Sequence, residues 1–259
     1  MSAMQHLEYN ENIFIIAPSH HVNFENIVLP EYTFFDTPLG SLEVNNRLIK
    51  NILEKFPATL SNQFFDSEHP IQVQLPFIQH IFYPKTQSAI DFVKRIGKKI
   101  KIIPVLVGKC DYRLISDLIA TYWENSSFII SSVLSHFYNQ AECRQIDTYT
   151  ATIIETGNLE YFQPQQACGL IGIMGLVDFA NNNDCTMIRS MLYNSGDVSK
   201  DTSRVVGYGS WYLYTDTKND YIEKYHSKYV IDTIKKSILS TFSKEEYIPR
   251  DIPSVLTQY

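Results

Sequence analysis

The stretch NIFIIAPS, Asn12 to Ser19, is an unbroken apolar run of strand length, stopped by Pro18. A strand that is apolar on both faces leaves no side for water, so it must be covered twice. Two more runs of this kind follow: KIKIIPVLVG at Lys99 to Gly108 and SSFIISSVLS at Ser126 to Ser135. Such runs, separated by amphipathic segments, predict an α/β class: a mostly parallel or mixed sheet with helices on both faces. The chain has 259 residues, 44% of them hydrophobic, which suffices for one large core. Its 17 Tyr and 15 Phe suit a well-filled core or a groove.

The segments between the runs read as follows. EYTFFDTP predicts a strand closed by Pro38, and SLEVNNRLIKNILEKF predicts a helix capped by Ser41. SEHPIQVQLPFIQHIFY reads as a helix with Pro70 in its first turn and a bend near Pro76. Further helices are predicted at TQSAIDFVKRIG, at DYRLISDLIATYW, across Asp147 to Ile154, and at CGLIGIMGLVDFANN from Cys168. CTMIRSMLYNSGD and SRVVGYGSWYLYT read as strands, and Asp197 in NSGD reads as a capping residue. A long amphipathic helix is expected at Tyr221 to Phe242.

The net charge of -6 argues against non-specific nucleic-acid binding, which depends on Lys and Arg neutralising phosphates. The basic cluster KRIGKKIK, Lys94 to Lys101, reads as a solvated helix end and strand entry. No run has the length of a membrane span and the first ten residues are polar, so a cytoplasmic location is the expectation. The four cysteines lack a CxxC spacing and are expected as thiols. There is no GxGxxG, P-loop or GxSxG motif.

In open α/β sheets, ligands bind beyond the carboxyl ends of the strands. His20 and His136 each stand just past a buried run, which makes them the first candidates for a site. From the residues alone, His20 also reads as a turn histidine, and Cys168 as a small buried thiol at a helix start.

The motifs APSHHVNFENIVLP, TPLG, DSEHPIQVQLPF, IIPVLVG, ISSVLSHF, ACG and YNSGDVSKDTSRVVGYGS occur in an order that resembles the Memo family. Bacterial members of that family are called AmmeMemoRadiSam system protein B. The resemblance covers roughly Ile13 to Tyr214 and implies a fold similar to the class III extradiol dioxygenases, which hold non-haem iron. Position by position, it implies metal ligation by His20 and Cys168, and pocket or acid–base roles for His69 and His136. The implied cofactor is iron or copper, held weakly or not at all. The implied partners are AMMECR-type and radical-SAM proteins of the same system, with no nucleic acid and no membrane.

Three departures from the family pattern stand out. The sequence has no counterpart of the family's APHAGY strand, whose histidine is a further proposed ligand. Val133 replaces the aspartate of the family's SSDFSH, and Gln72 replaces the second glutamate of its EHSIE. Residues 215–259 resemble the opening of an AMMECR-type domain, so residues 1–214 are expected to form a Memo-like domain with a helical extension. These readings predict a degraded metal pocket that acts through binding. The alternative is a metal-dependent redox enzyme whose missing ligand comes from an N-terminal segment or another chain.

Overall fold

The computed structural model describes residues 3–83 and 99–215. The helices expected at Thr86 to Gly97 and at Tyr221 to Phe242, and most of the basic cluster, lie outside the described residues. The strands are β1 (Asn12–Pro18), β2 (Ile27–Leu29), β3 (Phe34–Thr37), β4 (Gly40–Val44), β5 (Ala58–Leu60), β6 (Lys101–Val107), β7 (Ser126–Ile130), β8 (His136–Tyr138), β9 (Thr186–Asn194) and β10 (Val205–Tyr214). The described α-helices are α1 (Asn46–Lys55), α2 (Gln63–Asp66), α3 (Leu75–Phe82), α4 (Arg113–Tyr122), α5 (Gln140–Thr156), α6 (Leu170–Asn182) and α7 (Ser195–Ser199).

β1 is an interior strand of a seven-stranded mixed sheet, one strand in from the edge strand β7, and pairs in parallel with β6 on one side and β7 on the other. Ile13 to Ile16 and the facing Ile102, Ile103, Val105 and Leu106 are wholly withdrawn from water, as expected for strands covered on both faces. β4 joins the far edge of β6 in parallel at one end, and β2 joins it antiparallel at the other. Pro104 falls in the gap between those two partners, at a stretch of that edge where β6 needs no donor. A second, antiparallel sheet has the order β8-β10-β9, and α5 packs on β9 and β10.

Three local expectations change. Ser41 does not cap a helix: it lies in β4, and Asn45 caps α1 by accepting from the Leu48 N–H at 3.1 Å. The mixed spacing of Ser67 to Tyr83 resolves into a 3-10 turn at Gln72–Gln74 followed by α3. Pro76 therefore opens α3 rather than bending it, because its missing N–H costs nothing in a first turn. The apolar run after Ser126 leaves the sheet at Ile130, and residues 131–135 form a loop into β8. Asp197 does cap, completing a reciprocal pair of bonds with Asn194 at the start of α7.

Candidate functional site

Three segments meet beyond the carboxyl ends of β1 and β7. β1 runs into Ser19, His20 and His21, and β7 runs into Ser131, Ser132 and Val133. The segment preceding α3 is tied across them. Gln74 Nε2 donates to Ser131 Oγ at 2.9 Å, and Ser131 Oγ donates to the Pro70 carbonyl at 2.9 Å.

Glu68 organises the first of these turns. Its side chain is 2% exposed and accepts from Ser19 Oγ (3.0 Å), the His20 N–H and the His21 N–H (2.8 Å) on Oε1. Oε2 lies 3.0 Å from His20 Nδ1. Burial pushes the Glu68 carboxyl up, but the bonds from His20, His21 and Ser19 more than reverse that and hold it below the usual carboxylate range. His20 is held above the ordinary histidine value. Burial lowers it, and hydrogen bonds to Cys168 and Glu68 outweigh the burial.

Cys168 is placed by backbone contacts just before α6. The Val133 N–H donates to its sulfur at 3.3 Å, and its own N–H donates to the Val133 carbonyl at 3.3 Å. The Gly169 N–H donates to Ser132 Oγ at 2.8 Å, and a Cβ at Gly169 would lie 2.8 Å from the Ser132 Cβ. Only glycine allows this approach. The change from aspartate to Val133 therefore leaves the contact intact, because the main chain makes it.

His20 and Cys168 both lie in the segments that meet beyond β1 and β7, where the Cys168 sulfur helps to hold the histidine above its ordinary value. His69 directly follows Glu68 but is exposed, and no contact joins it to either of them. His136 is half-buried in β8, with Nδ1 3.3 Å from the Leu134 carbonyl and its ring edge-on to Phe137. Among the described residues, no group of three or more His, Cys, Asp or Glu side chains is arranged to hold a metal ion. The residue that sequence reasoning missed is Glu68. It stands inside the DSEHP motif beside a histidine that carries the more familiar ligand chemistry, and its burial leaves no signal in the sequence.

An α/β protein with a polar site past the carboxyl ends of its central strands is the class that fold and site define. The chain belongs to the Memo family: the Memo-like protein family matches residues 1–212. Its mixed sheet agrees with the extradiol-dioxygenase-like fold of that family. Relatives include a MEMO1 family protein of Aquifex aeolicus, 27% identical over 215 residues that cover 78% of this chain and 75% of the relative. One of Methanosarcina acetivorans is 25% identical, covering 76% of this chain and 73% of the relative. The MEMO1 family protein MHO1 of Saccharomyces cerevisiae is 29% identical over 51% of this chain and 41% of the relative. No helix among the described residues is long and apolar enough to cross a membrane.

Proposed function

We propose that this Memo-family chain binds a soft metal ion through His20 and Cys168 and acts through binding rather than turnover. The observation that carries the reading is the His20 ring, set between a buried carboxylate and a cysteine thiol. Metal-ligating histidines commonly direct their second nitrogen to a carboxylate, which fixes the ring and its tautomer. Glu68 occupies that position, and its 2% exposure leaves it little to do with solvent.

The donor chemistry decides which metal fits. Non-haem iron asks for two imidazoles and a carboxylate with open positions. Here the carboxylate is spent on orienting His20, and the remaining pair is one imidazole nitrogen and one sulfur. That pair suits copper(I), for which thiolate and imidazole are favourable donors. Bound copper would supply a redox-active centre. The chain's own contribution is to fix the ring with Glu68 and the sulfur with the Val133 main chain. An action by binding fits AMMECR-type and radical-SAM proteins as partners.

Titration of copper(I) against a chromophoric chelator tests the reading. One equivalent should bind to the full chain. Cys168→Ala should abolish binding more completely than His136→Ala. Equal loss in both variants, or no transfer from the chelator to the wild type, would remove the proposal.

The second reading is a metal-dependent, dioxygenase-like enzyme using iron or copper. Its third ligand would come from an N-terminal segment beyond this sequence or from another chain. The 42% exposure of the His20 side chain supports it, since one side of the dyad stays open to a further ligand. Oxygen uptake with a catechol after anaerobic loading with iron(II) would favour this reading over the first.

A further inference from the structure

The β7–β8 loop has two halves with different partners. Ser131, Ser132 and Val133 face the dyad: the Ser131 N–H donates to the Ile16 carbonyl at 2.8 Å, Ser132 Oγ accepts from Gly169, and Val133 holds Cys168 by both its N–H and its carbonyl. Leu134 and Ser135 face the antiparallel sheet. The Leu134 N–H donates to the Gly207 carbonyl at 2.9 Å, and the Gly207 N–H donates to the Ser135 carbonyl at 2.8 Å. The Ser135 N–H donates to Asp147 Oδ1 at 3.0 Å. The backbone that grips Cys168 is thus one residue from a segment fixed by Asp147 and β10.

Asp147 is itself confined. It is 3% exposed, its Oδ2 accepts the Cys143 thiol at 3.1 Å, and Ser135 Oγ donates to the Cys143 sulfur at 3.3 Å. A Cβ at Gly207 would lie 1.8 Å from Asp147 Oδ2, so Gly207 is the only residue type that lets β10 lie over the carboxylate. A carboxylate this deep is an expensive way to hold a helix to a sheet, since an apolar contact would do so without desolvating a polar group. What it offers that an apolar side chain does not is a directed acceptor for one particular N–H of the loop.

We propose that Asp147 is a positioning residue for Cys168. It fixes Ser135, and through Ser135 and Leu134 it sets where Val133 presents its N–H and carbonyl to the sulfur. The functional meaning of this role rests on the metal-binding reading above; the mechanical link does not. Gly207 is its second anchor, because it sets the depth of Asp147 and bonds the same two loop residues.

The test is the rate at which iodoacetamide alkylates Cys168 in the full chain, followed by peptide mass spectrometry, with Cys110 as an internal reference. Cys110 follows β6, is partly buried, and makes none of the loop's hydrogen bonds described above. Asp147→Ala and Gly207→Ala should each raise the Cys168 rate about fivefold, the population change of one hydrogen bond, with Cys110 unchanged. Asp147→Asn keeps an oxygen for the Ser135 N–H and should retain the wild-type rate. An unchanged Cys168 rate in Gly207→Ala overturns the proposal, as does a parallel rise at Cys110 in that variant. Should Asp147→Ala not fold, Gly207→Ala and Asp147→Asn still decide. Copper(I) titration of the same samples separates the two ideas: no binding by the wild type removes the metal reading and leaves the alkylation result standing.

Discussion

Glu68 and Asp147 are both nearly withdrawn from water, at 2% and 3% exposure, and their carboxyls move in opposite directions. Around Glu68, the turn after β1 aims a hydroxyl and two backbone N–H groups at the carboxylate, with the His20 ring on its second oxygen. Those bonds overcome the burial and favour the charged form. Around Asp147, burial dominates; bonds from Cys143 and Ser135 oppose it without reversing it, and the carboxyl stays above its ordinary range. A thiol is a weak donor, so the second site lacks the donor strength of the first. Similar solvent exposure therefore does not fix the charge. Asp147 sits deeper among protein atoms than Glu68, and that depth together with the weaker donor set decides its direction.

The largest expected effect is at Glu68. Glu68→Ala leaves two backbone N–H groups and the His20 ring without their acceptor, while the Ser19 hydroxyl keeps the Val22 carbonyl at 2.8 Å, and about 3 kcal/mol of stability should be lost in urea unfolding. Glu68→Gln keeps an oxygen for the N–H groups and should cost clearly less. If Glu68→Ala cost no more than a surface substitution, the account of the first carboxylate would fail.

Asn45→Ala calibrates the scale, because Asn45 makes two ordinary side-chain bonds away from both carboxylates, accepting from the Leu48 N–H at the start of α1 and donating to Asn12 Oδ1 at 2.7 Å. It should cost about 2 kcal/mol. A loss as large as that of Glu68→Ala would mean that the Glu68 bonds act as no more than one cap.

The smallest effect is the pH dependence at Asp147. Its native carboxyl binds the proton more tightly than the unfolded one, so this stabilisation is fully present below the unfolded value. It is lost as pH rises through the native value. Asp147→Asn has no such group, so its melting temperature should gain on the wild type as pH rises from about 4 towards 7. Cys143 is pushed up to about 11 by burial and stays protonated throughout, so it adds nothing to the slope. A melting difference that shrinks with pH would reverse the assignment of direction.

Much of the fold was legible in the sequence because its signal is local. Runs such as NIFIIAPS and KIKIIPVLVG can only be doubly covered strands, and they are the central pair, β1 and β6. DYRLISDLIATYW carries its helical period on its surface and forms α4. The mixed region at Ser67 to Tyr83 was harder, since two prolines and short-range polar bonds compete there with the apolar period. Ser41 reads as a cap because a strand and a helix share one apolar stretch, whereas Asn45 is where the backbone changes from strand to helix.

The sequence by itself determined the α/β class and the buried runs that become β1, β6 and β7, and its motifs named His20 and Cys168 as candidates for the site. Only the tertiary structure decided what those residues touch. Glu68 meets His20 across 48 positions, and Cys168 meets Val133 across 35. Such separations leave no periodic trace, because a single long-range hydrogen bond constrains one atom pair and not a pattern of residue types. The roles of Val133 and Gly207 are more hidden still. They act through main-chain N–H and carbonyl groups that every residue except proline possesses, and only the path of the folded chain selects which of them are used.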